Sequence, residues 1–182
     1  MRRFIAVLVT CMLTFWQSFM VNPGRMTNEP IIYFTLIGLA IALLVSIYTD
    51  IRYRLIYNSV TLAIALGAPV YWFASGGFGL PEIGIHIFTA SLTFAVFAAA
   101  FHFGAMGGGD VKLFAALALW FHWIDVIRLI LYASIIGAFV TLIFLLIHKA
   151  KQRDGHARIP YGVAIATAGL WIAGEQIFNH FT

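Results

Sequence analysis

The sequence predicts an all-α protein, a polytopic transmembrane helical bundle of about six or seven helices. Two observations support that prediction. Hydrophobic residues make up 62% of the 182 positions and charged ones only 10%, whereas soluble domains run near half apolar and a quarter charged. The apolar residues also come in unbroken runs, such as IIYFTLIGLAIALLVSIYT at 31–49, close to the ~20 residues that cross a bilayer as a helix. A membrane β-barrel would instead need strands of about ten residues alternating apolar and polar.

Seven candidate helices follow in order, at 4–21, 31–49, 59–75, 83–106, 111–123, 127–148 and 159–177. The breaks between them carry turn chemistry: NPGR at 22–25, SGGFGLP at 75–81, GGGD at 107–110 and KAKQRDGHAR at 149–158. Residues 1–30 read as an anchor helix with an external linker, and 31–182 as the main transmembrane domain. Arg2 and Arg3 before the first apolar run resemble the start of a signal peptide. No A-x-A-like site follows, and Thr10 suits a lipoprotein site before Cys11 poorly, so an uncleaved anchor is expected. With Cys11 as its single cysteine, the chain can form neither an intrachain disulfide nor a multi-cysteine zinc site.

Charge sets the orientation. With the N-terminus in the cytoplasm, Arg2, Arg3, Arg52, Arg54, Lys112 and the basic segment 149–158 fall inside, and only Arg25 and Arg128 fall outside. The positive-inside rule favours this arrangement. It brings Asp50, at the end of the second candidate helix, and Asp110, at the start of the fifth, to the same cytoplasmic face. The fifth helix is short, about 20 Å against the ~30 Å hydrocarbon core. Irregular backbone at that depth is tolerated only inside protein or beside a wet cavity, so Asp110 is expected in a water-accessible notch.

Charged residues near spans are functional candidates by default. Two carboxylates sharing one water suit aspartic peptide hydrolysis: one, ionised, acts as base and the other, protonated, as acid. Gly107, Gly108 and Gly109 would then allow positive φ and close approach of a substrate backbone. The same residues also admit a structural reading, with Asp110 an N-cap and Asp50 a partner of Arg54. A third reading makes the aspartates proton- or ion-binding groups of a small transporter or channel component, although no internal repeat of the kind such proteins carry is evident.

Three motifs narrow the choice. DIRYRLIYN at 50–58 places Asp50 ahead of a basic stretch closing on Asn58, GGGDVKL at 107–113 supplies a GxGD element with Lys112 behind it, and IPYGVAIA opens the last helix at 159–166. In this order they resemble the type IV prepilin peptidases, GxGD-type aspartic proteases of bacterial and archaeal inner membranes. The resemblance implies that Asp50 and Asp110 are the catalytic pair, that Gly107 and Gly109 shape the second aspartate's turn, and that Lys112 and Asn58 support the site. It also implies cleavage of the leader from a pilin-like precursor at the cytoplasmic face, with no metal or organic cofactor. Tyr57 departs from the family's proline before the asparagine. With only Cys11, the chain also lacks the paired-cysteine insert of the bifunctional, N-methylating enzymes. It resembles the minimal form serving Flp or tight-adherence pili, and no methyltransferase activity is expected.

Among the remaining residues, His86, His102, His122, His148, His156 and His180 form no metal-ligand spacing; His102 alone lies near GGGD. GGGDVK lacks the Walker spacing of a phosphate loop. The basic residues are expected to meet anionic membrane lipids rather than nucleic acid. Trp120, Trp123 and Trp171 suit an interfacial belt or core packing, and Asp125 and Arg128 an i,i+3 ion pair.

Overall fold

The computed structural model describes residues 29–75, 79–150 and 160–181. These contain six helices and no strand: α1 Glu29–Tyr53, α2 Asn58–Ala74, α3 Leu80–His102, α4 Gly108–Ala118, α5 Trp123–Ala150 and α6 Tyr161–Phe181. Three of them, over Pro30–Tyr53, Leu80–His102 and Trp123–Ile143, are long and apolar enough to cross a membrane. The all-α, multi-pass architecture therefore holds. The candidate helix at 4–21, with nearly all of the N-terminal unit 1–30, and the basic residues of 151–158 lie outside the described residues.

The short α4 is the centre of the molecule. It touches α2, α3, α5 and α6, while α1 packs between α2 and α6, and α5 lies against α6 and α3. Along its 11 residues, Val111, Leu113, Phe114, Ala116, Leu117 and Ala118 are all buried. The bundle surface is the reverse: Phe34, Phe88 and Phe139 are among many large apolar side chains left exposed, as expected where lipid tails replace water. The ring around α4 is open on one side. Between α2 and α3 runs an apolar groove of about 590 Å³, floored by Lys112, Ala115 and Ala116 of α4 and by Leu119 just after it.

Aromatic side chains fix α4 in place. Phe97 of α3 stacks on Phe114 at 4.3 Å. Just beyond α4, the Trp120 indole N–H donates to the Ile64 carbonyl at 2.7 Å, and the Trp72 indole donates to the Leu119 carbonyl at 2.9 Å. Both bonds tie an indole to the backbone of another element, and the one from Trp120 is fully buried. Gly67 makes room for the first: a Cβ there would sit 2.7 Å from the Trp120 ring. Trp120 is thus a core residue, 3% exposed, whereas Trp171 faces outward and donates to Glu175 at 2.7 Å. The predicted Asp125–Arg128 pair forms, at 3.4 Å.

Helix boundaries differ from the sequence reading in three places that matter to the site. The second candidate helix does not end at Asp50; α1 runs on to Tyr53 and closes where Arg54, at φ 53°, donates its N–H to the Asp50 carbonyl at 2.9 Å. The fourth ends at His102 instead of 106. The chain then reverses through Gly104, whose φ of 73° makes it the one positive-φ glycine among the described residues. GGGD is accordingly not the break itself. Gly107 is the N-cap of α4 in extended backbone, φ −75° and ψ 143°, and Gly108, Gly109 and Asp110 form its first turn. The expected positive φ at 107–109 is replaced by a different use of the same glycines, described next.

Candidate active site

Three helix ends meet at one end of the bundle: the last turns of α1 with Asp50, the first turn of α4 with Asp110, and the first turn of α6 with Gly162 and Val163. Asp50 is 5% exposed. Its Oδ2 accepts the Val163 backbone N–H at 3.0 Å, a bond between residues 113 positions apart. The first N–H groups of a helix have no partner within it, and Pro160, just ahead of α6, has no side chain able to cap them. Asp50 supplies that acceptor from another helix. The carboxylate lies flush on α6, because a Cβ on Gly162 would stand 2.8 Å from Oδ2.

Asp110 occupies the third helical position of α4 and is partly buried. It is therefore not the N-cap of its helix. Its carboxylate bends back over Gly107, where a Cβ would come within 2.9 Å of Oδ2. Asp110 lies outside the three membrane-length helices. Burial, and after it the charge of Asp50, pushes its carboxyl up to about 6, with the Gly107 backbone acting in the opposite direction. The charge that acts on Asp110 thus comes from a residue sixty positions earlier in the sequence.

Ile56 separates the elements that carry them. Its side chain, 9% exposed, lies 3.2 Å from the Cβ position of Gly109 in α4 and 2.7 Å from that of Gly162 in α6. Neither Ile56 nor Gly162 was singled out by the sequence reading. The available signal was the glycine two residues after Pro160, in a helix start where alanine would serve better.

The two supporting candidates also come together, since Lys112 Nζ donates to Asn58 Oδ1 at 2.9 Å. Both are exposed, at the end of the α2–α3 groove. Tyr57, which stands where a proline was expected, holds φ −71° and ψ 134° as the N-cap of α2. That φ is the one a proline ring would impose, so the loop has the predicted backbone without the predicted residue. His102 is exposed and meets Phe103 edge-on. Among the described residues, no three His, Cys, Asp or Glu side chains cluster to hold a metal ion.

Residues 36–142 match the model of the type IV leader peptidase family. The chain belongs to this family. Its relatives include the prepilin leader peptidase/N-methyltransferase of Legionella pneumophila, 40% identical over 42% of this chain and 26% of that protein. The enzyme of the same name from Xanthomonas campestris is 42% identical over 37% of this chain and 22% of its own length. That of Pseudomonas aeruginosa is 39% identical over 40% and 24%. The chain thus spans about a quarter of the length of these curated relatives. No solved structure matches it significantly. The family match covers α2, α3 and α4 whole, with most of α1, and so takes in Asp50, Ile56 and Asp110.

Proposed function

We propose that the chain is a membrane-embedded aspartic endopeptidase that removes the leader peptide of type IV, Flp-like prepilins at the cytoplasmic face of the bacterial inner membrane. The observation that carries this reading is the meeting of the helix ends that bear Asp50 and Asp110 around the buried Ile56, in a chain of the leader peptidase family.

In the proposed reaction the carboxylates share one proton, because like charges at short range resist double ionisation. Asp110 is the member that carries it, and Asp50 is the base. Asp50 takes a proton from a water molecule, whose oxygen attacks the scissile carbonyl carbon while Asp110 polarises the carbonyl oxygen. When the tetrahedral intermediate collapses, the C–N bond breaks and the amine leaves with a proton from the pair. Lys112 and Asn58 flank the site without a chemical step.

The test is co-expression with a candidate Flp-type prepilin, following loss of the leader on a gel. Wild type is expected to process the precursor, and Asp50→Asn and Asp110→Asn to leave it uncut. Full processing by either variant would rule out the two-aspartate mechanism.

A further inference from the structure

We infer that Gly162 and Ile56 are positioning residues for the Asp50 carboxylate, so that the opening turn of α6 belongs to the catalytic apparatus. The inference rests on the peptidase reading above and extends it to Ile56, between Asp50 and Asn58, and to Gly162 at the start of α6.

The backbone of Asp50 is already fixed, because its carbonyl accepts the Arg54 N–H that closes α1. What remains free is the side chain, and α6 removes that freedom. Val163 holds Oδ2 at 3.0 Å. The bare Cα of Gly162 forms the surface on which the carboxylate rests, with the Cβ position 2.8 Å from Oδ2 and 3.1 Å from Cγ. A methyl group at this point leaves the carboxylate no room where it now lies. Both atoms that a methyl would strike, Asp50 Oδ2 and Ile56 Cδ1 at 2.7 Å, are the ends of rotatable side chains. They can swing aside and leave the helices in place. The perturbation therefore falls on the carboxylate's direction more than on the fold.

Ile56 extends the control to the second aspartate. The same side chain that meets Gly162 through Cδ1 meets Gly109 through Cβ, at 3.2 Å from the position a Cβ would take there, and Gly109 directly precedes Asp110. One buried isoleucine thus sets how near α6, carrying the partner of Asp50, stands to the turn carrying Asp110. Helix stability gives no reason for glycine at 162, since glycine inside a helix is less stable than alanine. Gly174, on the same helix, has nothing within 4 Å of its Cβ position and supplies a matched control.

The experiment uses the full chain in detergent micelles with a purified Flp-type prepilin carrying its leader, and measures kcat, KM and melting temperature. Gly162→Ala is expected to lower kcat about 10²-fold, the loss that follows a misplacement near 1 Å, with KM within about twofold and the melting temperature within a few degrees of wild type. Adding Ile56→Val, which removes Cδ1, should restore part of kcat. Gly174→Ala should match wild type throughout. If wild type cuts the precursor and Gly162→Ala cuts it equally fast, the inference is overturned while the peptidase reading stands. The inference is likewise overturned if Gly162→Ala loses activity only in proportion to unfolded protein. If wild type cuts nothing, or Asp50→Asn still cuts, the peptidase reading fails and takes the inference with it.

Discussion

Asp50 is both a helix cap and the proposed base, and the two roles separate under substitution. Asp50→Asn keeps an oxygen able to accept the Val163 N–H now held at 3.0 Å, but loses the ionisable group. Asp50→Ala loses both. Removing a capping acceptor costs typically about 1 kcal/mol, and an amide left unpartnered away from water costs about 1–3 kcal/mol. Asp50→Ala is therefore expected to be less stable than wild type by about 1–3 kcal/mol, which in a chain of this size is roughly 2–10 °C in melting temperature. Asp50→Asn should melt within a degree or two of wild type. Thermal unfolding of the three proteins in the same detergent, alongside the leader-cleavage assay, checks both roles. An Asp50→Ala protein as stable as wild type would refute the cap, and precursor cleavage by Asp50→Asn would refute the base. If both variants were equally unstable, the negative charge, not the accepted hydrogen bond, would be what steadies α6.

Other consequences are equally direct. The Asp110 carboxyl, raised to about 6, keeps its proton more readily folded than unfolded, so its contribution to stability is complete below about pH 4 and is lost as pH rises through 6. Asp110→Asn should therefore match wild type in melting temperature near pH 4 and exceed it at pH 8. Trp120→Phe removes the 2.7 Å bond to Ile64 and is expected to cost about 1–3 kcal/mol, measured by thermal unfolding. Tyr57→Pro, at a φ of −71°, should raise stability by about 0.4–1 kcal/mol, since it narrows the unfolded ensemble without straining the native loop. Asn58→Ala and Lys112→Ala, whose side chains share one exposed bond, should each cost less than about 1 kcal/mol; the double variant should cost little more than either alone.

Much of this architecture was legible in the residues. Long apolar runs gave the helices, the sparse charges drew attention to Asp50 and Asp110, and the family resemblance added Lys112 and Asn58, which the fold joins by a hydrogen bond. What escaped was packing. Nothing local in IPYGV says that Gly162 is bare because a carboxylate from α1 rests on it, since that depends on a residue more than a hundred positions away. Ile56 likewise reads as an ordinary apolar loop residue until its two glycine neighbours are known. The GGG run misled for a related reason. Glycine serves both positive φ and close approach, and only the backbone angles assign positive φ to Gly104 and close approach to Gly107 and Gly109.

The half-height of α4 has a consequence for the membrane itself. Its 11 residues rise only about 16 Å, well short of the ~30 Å hydrocarbon core. Below the aspartate the helix presents Leu113, Phe114 and Leu117, none more than 1% exposed, with Phe121 beneath them. The buried Ser46 of α1 spends its hydroxyl on the Ala42 carbonyl of its own helix. Beyond Asp110 the helix is thus packed into an apolar core. Such a core would let the proposed hydrolysis proceed at one face while the membrane's permeability barrier stays sealed.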